Sequence, residues 1–421
     1  MAPTFRADQI GSLIRPQYLL DAQLAVTDWG RMHTKIHDDA SQDLIDKVHD
    51  AEHKAIKDVV AEQVKRGVLP ISSGEFERAS FVSGFFERVE GIEIRQMNFE
   101  QTYRTGFPIV RPYARRGIPS RDTPIAVGKI RWKGSTYMND WLYVRSLLPQ
   151  ERWKDVKFTI PAPNWAHTQL KDGLAYTKEA YTDEYEYLKD VGEAVRQEVL
   201  ALYDAGMCVV ISIDSIPPLI MSSRFVQIDD PMIAMLCDQP YLEAQKVEGK
   251  DLDALLDPAI FAHNVVARDM PSDLTLAVHL CLGNGPKSDA AGVGGFDDMA
   301  PNIFSKMEYK RFALEFDDLA NSFAPLQHLP TDKVIVLGLV TTKSAEMETL
   351  EGLRSRIHEA ADIIAKAQGK TRQDVIRDNI AVSPSCGFAS LSVLHGVPSA
   401  KVQWQKLELL KQVAEQVLGG S

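Results

Sequence analysis

Short β-branched apolar runs alternate along the chain with longer stretches whose apolar residues recur near every 3.6 positions. The runs predict strands at 7–12, 68–75, 157–163, 208–214, 274–281, 311–316, 333–340 and 379–386. Helices are predicted over 43–67, 182–206 and 349–369, closing at Gly67, Gly206 and Gly369, since glycine is the usual C-terminal stop. Strands that alternate with helices mark a parallel sheet with crossover connections. Eight such units predict an α/β fold, a single (β/α)8 TIM barrel over residues 1–421.

Two stretches break the alternation. Within 81–150, "TGFPIVRP" and "TPIAVGKIRW" predict an inserted β-hairpin beside the basic stretch "YARRGIPSRD". Residues 215–250, rich in Pro and Met and without a clear period, predict a loop insertion. Both follow strand ends, so both are expected at the C-terminal mouth of the barrel.

Composition narrows the function. Apolar residues make up 45% and charged residues 25% of the 421, near the globular norm. A formal charge of −11 argues against a nucleic-acid partner, because phosphate-backbone binding depends on Lys and Arg. No segment approaches the ~18 uninterrupted apolar residues of a membrane span, and "MAPTFRADQIGSL" does not read as a signal peptide. A soluble, cytoplasmic protein is expected. The four cysteines are too sparse for a disulfide scaffold and form no CxxC pair, so a metal site would have to be assembled from distant segments. Cys208 and Cys237 read as core residues.

The chemistry is expected at the strand ends. In "AVHLCLGNG", His279 and Cys281 are two apart and share one strand face, while Val278, Leu280 and Leu282 take the other. In "RFALEF", Glu315 likewise opposes Phe312, Leu314 and Phe316 and is expected to face inward. The mouth would gather Ser12, Glu75, Asp214, His279, Cys281, Glu315 and Cys386, with Lys343 just beyond. Any one of these alone reads as an ordinary core residue or salt-bridge partner. Together, His279, Cys281, Glu315 and Cys386 offer a nitrogen, two thiolates and an oxygen, a set suited to tetrahedral Zn(II).

In order, "IGS" (10–12), "GEFER" (74–78), a strand ending in aspartate, "HLC" (279–281), the Glu315 strand and "SPSCG" (383–387) resemble the catalytic barrel of cobalamin-independent methionine synthase. The resemblance spans nearly the whole chain and is closest to short, single-barrel members. It implies zinc on His279, Cys281, Glu315 and Cys386, with Gly11, Ser12, Glu75 and Asp214 meeting the amino-acid end of homocysteine. The expected activity is zinc-dependent methyl transfer to that or a related small thiol. The chain departs from the family in lacking room for the second, folate-binding barrel, in Ser215 after the strand aspartate, and in Lys343 where the family has a proton-donating histidine. Lys343 is expected to act on the electrophile or to bind an anion. Trp165 and His167 receive no role. The alternatives are a zinc-thiolate transferase that opens an epoxide with a small thiol, a barrel with structural zinc, and a decarboxylase of the uroporphyrinogen type.

Overall fold

The computed structural model describes residues 5–28, 36–37, 39–207, 225–283, 291–292, 295–317, 322–390 and 399–420. Strands β1 (Glu90–Asn98) and β2 (Ser120–Arg131) form an antiparallel pair. Six further strands form one parallel sheet in sequential order: β3 (Phe158–Pro161), β4 (Phe225–Asp229), β5 (Thr275–Leu280), β6 (Arg311–Glu315), β7 (Val334–Val340) and β8 (Ile380–Pro384). Their residues are almost all buried, which is why they read as near-continuous apolar runs.

Single parallel bridges extend the sheet at both ends. Ala7 pairs with Val382 of β8, and Ile71 pairs with Val156 just before β3. These two added segments meet where Leu13 N donates to Gly74 O at 3.1 Å. Asp8 shows how strongly the sheet curls. Its carboxylate accepts from Lys157, which precedes β3, at 2.7 Å and from Arg311, which opens β6, at 2.8 Å. Both cations also lie over the ring of Phe225. Burial alone would raise the Asp8 carboxyl, but Lys157 and Arg311 outweigh it and hold the group below its ordinary value.

The long helices form where the periodicity predicts them. Gln42–Arg66 begins at Ser41, whose side chain accepts from Leu44 N, and ends at Gly67 in the left-handed region at φ 65°. Leu350–Gln368 is framed in the same way by Thr349 and Gly369. Glu184–Met207 runs through Gly206, which is therefore not its stop. No helix among the described residues is long and apolar enough to cross a membrane.

Two segments differ from expectation. The hairpin pairs β2 with residues 90–98 and not with 105–112. Pro108 and Pro112 lack ladder N–H groups, and each sits in the first turn of a short helical segment. Residues 215–250 are not one loop insertion, because β4 lies within them between β3 and β5, followed by helices Pro231–Met235 and Gln239–Val247. The strand expected at 208–214 falls outside the described residues.

Candidate active site

The strands deliver their functional side chains at the C-terminal edge of the sheet, where parallel α/β folds place ligands. Asp229 ends β4 and lies in register with His279 of β5. Cys281 follows β5, and Cys386 follows β8. The ligand atoms of His279, Cys281 and Cys386 lie within 4.8 Å of one another, and all three residues are buried. The two sulfurs are 3.7 Å apart. His279 Nδ1 lies 3.1 Å from Ala313 O, a carbonyl that can only accept, so the proton sits on Nδ1 and the lone pair is left on Nε2. That Nε2 is buried without a hydrogen-bond partner.

The thiols are not equivalent. The hydrogen bond with Cys281 works against burial and holds Cys386 well below its ordinary value, helped by His279 and Lys343.

Glu315, the fourth ligand expected from the sequence, is buried at the end of β6 and is not among the three residues whose ligand atoms all lie within 4.8 Å of one another. Its Oε1 accepts from Lys343 Nζ, and its Oε2 accepts from Leu282 N at 3.0 Å. Lys343 is also 4.0 Å from Asp317. Burial pushes the Lys343 ammonium below its ordinary value, opposed by the charges of Cys386 and Cys281.

One cavity opens over the three soft donors. Its walls near the sheet are Ile10, Ser12, Glu75 and Asp229. Glu75 has a positive φ of 60°, an uncommon conformation for a side-chain-bearing residue. Arg15 holds that turn by donating to the carbonyls of Glu75, Arg78 and Ala389 at 2.7–2.8 Å. Glu75 Oε1 accepts from Thr159 Oγ1 at 2.9 Å and lies 3.2 Å from Arg78, while Oε2 is buried without a partner. Gly11 leaves room for this carboxylate, since a Cβ there would lie 2.5 Å from Oε1. Ser12 Oγ accepts from Ala389 N at 3.4 Å. Burial, with Glu75 nearby, pushes Asp229 up to about 7.

Asp214 and Ser215 lie outside the described residues; among the described residues the aspartates that line the cavity are Asp122 and Asp229. Asp230, which follows the second of these, caps the helix Pro231–Met235 and pairs with His263 at 2.9 Å, so the turn behind Asp229 is fixed. Sequence reasoning also missed the outer wall. There the guanidinium of Arg121, from β2, stacks 4.8 Å from the ring of Trp165 and 5.7 Å from that of Tyr113. Phe81 meets Trp165 edge-on at 5.1 Å. Arg121 Nη1 and Trp165 Nε1 are buried without partners. His167 is tied to Glu184 at 2.9 Å.

Residues 175–405 match the family described as cobalamin-independent synthase, catalytic domain. The chain belongs to the cobalamin-independent methionine synthase family. It is accordingly an enzyme of the transferase class. The matched stretch carries Asp229, His279, Cys281, Glu315, Lys343 and Cys386. Among curated relatives, the chain is 28% identical to the uncharacterized proteins YxjH and YxjG of Bacillus subtilis (strain 168). Those matches cover 98% and 99% of this chain and 94% and 95% of theirs. It is 21% identical to 5-methyltetrahydropteroyltriglutamate–homocysteine methyltransferase of Bacillus velezensis, over 77% of this chain but only 34% of that enzyme. Its fold is shared with a putative vitamin-B12-independent methionine synthase from Listeria monocytogenes, with TM-score 0.65, 21% identity and 99% of both chains covered. It is shared also with a B12-independent methionine synthase from Shewanella sp. W3-18-1 in complex with selenomethionine, with TM-score 0.64, 16% identity and 98% and 97% covered.

Proposed function

We propose that this family member is a zinc-dependent S-methyltransferase whose acceptor is homocysteine or a related aminothiol. The observation that carries this reading is the buried His279, Cys281 and Cys386 group on the floor of a cavity walled by Glu75 and Asp229. The donor set fits zinc. A buried imidazole nitrogen without a partner is costly unless something accepts its lone pair, and two thiols beside it select a thiophilic cation. Bound there, zinc would favour the thiolate of a substrate thiol whose free pKa is about 8.5. Glu315 at the end of β6 would be the fourth ligand and, as the hardest donor of the set, the one to yield its position to the substrate.

The remaining roles follow from placement. Glu75, with one oxygen unpaired, and Asp229 form a carboxylate corner suited to the ammonium of an amino-acid thiol, whose charge would favour the ionised form of Asp229. Ser12 offers a hydroxyl beside them. Arg121, Trp165, Tyr113 and Phe81 line the donor end, where ring faces and a cation would hold a flat or anionic methyl donor. The same reading closes the sheet into a (β/α)8 barrel. The segments through Ala7 and Ile71 become its first two strands, in a single catalytic domain with the hairpin at the mouth. Thiolate ligands need a reducing compartment, which makes the cytoplasm the working location.

The test is incubation of the zinc-loaded protein with homocysteine and other small thiols, against methylated folates, methyl-corrinoids and epoxides, with products read by mass. Methionine or another S-methyl thioether, absent with Cys386→Ser, is the expected result. Only an epoxide adduct, or a product formed equally well by Cys386→Ser, would overturn the assignment.

A further inference from the structure

Gln227 and Asp229 are two residues apart on β4, so both face the interior of the curled sheet. Gln227 is fully buried, and its neighbours fix which way its amide points. Lys157 Nζ, also buried, donates to Asp8 Oδ1 at 2.7 Å, to Gln9 O and to the Gln227 amide at 3.0 Å. An ammonium cannot accept, so the amide atom beside it is Oε1. Nε2 is thereby turned the other way, where it donates to Ile10 O at 2.8 Å and to Asp229 Oδ1 at 2.7 Å. Both amide hydrogens are then in use.

Ile10 and Asp229 both line the cavity, on the side where Ser12 and Glu75 also stand. We propose that Gln227 is a positioning residue that sets the Asp229 carboxylate for the ammonium of an aminothiol. The proposal rests on the aminothiol reading above. A carboxylate turns about its last bond unless one oxygen is tied, and a donor on Oδ1 fixes its plane and so gives the second oxygen one direction. The same N–H offsets part of the cost of burying the group. Lys157 acts one step further back, by deciding which amide atom faces Asp229. Through Ile10 O, Gln227 also holds the segment that leads into Gly11 and Ser12.

Isothermal titration of the zinc-loaded full chain compares homocysteine with γ-mercaptobutanoate, which differs only in lacking the amino group. The wild type should prefer homocysteine. Gln227→Met, close in length but without an N–H, should weaken homocysteine binding by about tenfold, the effect of one hydrogen bond to a charged group, and leave γ-mercaptobutanoate within about twofold. In an Asp229→Asn background the same substitution should change homocysteine binding by less than about twofold, because Gln227 acts through the carboxylate. Equal weakening of both thiols, or an undiminished effect in the Asp229→Asn background, would make Gln227 a structural residue only and overturn the proposal. So would a Gln227→Met protein that keeps the wild-type preference. Should Gln227→Met fail to fold, the wild type decides. The side-chain amide signal of Gln227 in a heteronuclear NMR spectrum should shift when homocysteine binds and shift less with γ-mercaptobutanoate, and equal shifts would overturn the proposal. Homocysteine bound by the wild type no better than γ-mercaptobutanoate, or not at all, overturns the aminothiol reading together with this one.

Discussion

Cys281 and Cys386 bring their sulfurs to 3.7 Å although 105 residues separate them in the chain. β5 and β8 end at the same edge of one parallel sheet but lie three strands apart in it, so the curl of the sheet is what brings the sulfurs together. With His279 they should hold one zinc per chain, measured by elemental analysis after purification without chelator. Cys386→Ser and Cys281→Ser should each lose the metal and keep a cooperative unfolding transition, since the packed sheet does not depend on these sulfurs. Zinc retained by either variant would refute the site.

The acceptor end makes a separate claim. Glu75→Gln keeps the size of the side chain but removes the charge facing the cavity. The KM for the amino-acid thiol should rise by about 10- to 100-fold, the loss typical of a charged hydrogen bond, with a smaller change in kcat. Gly11→Ala should act on the same step, because its new Cβ collides with the Glu75 carboxylate. Cysteamine or another amine thiol should feel both changes, whereas a thiol without an amino group should not. An equal effect on both kinds of thiol would remove Glu75 from ammonium recognition.

How much of this was legible in the sequence depended on the range of the interactions involved. His279 and Cys281 declare a shared face through strand alternation, and "SPSCG" ends the last apolar run, so those donors could be named from local pattern. The aspartate could not. "ISID" reads as a strand ending in aspartate while "VQID" lies in a stretch without a clear period, and only pairing with β3 and β5 shows that the second run enters the sheet. The first hairpin strand, "EGIEIRQMN", was hidden by its charges, which suit a half-exposed ribbon. For Glu315, inward placement was readable but its partner was not.

The donor end should respond independently of the acceptor end. Arg121→Ala removes a cation stacked on Trp165 and Tyr113 and should raise the KM for the methyl donor by about tenfold, leaving the KM for the thiol unchanged. Arg121→Lys should recover little, because an ammonium does not reproduce planar stacking. A rise confined to the thiol KM would place Arg121 on the acceptor side.

The fold makes its own prediction at Asp8, Lys157 and Arg311, a charge group buried to within 3% exposure. Lys157→Met leaves a buried carboxylate with one cation fewer. It should cost about 3–5 kcal/mol, the usual result of breaking a buried pair from one side. The pH dependence follows from the direction of the Asp8 shift. Its carboxyl is held below its ordinary value in the folded chain, so the folded state binds fewer protons than the unfolded state in mild acid. That contribution is fully present above the unfolded value of about 3.9 and is lost as pH falls through the lower folded value. Urea unfolding midpoints measured from neutral pH downward should therefore fall less steeply in Asp8→Asn than in wild type, even though Asp8→Asn starts from a lower midpoint. Parallel acid limbs in the two proteins would show that Asp8 does not titrate with unfolding, and the shift assigned to Lys157 and Arg311 would be wrong.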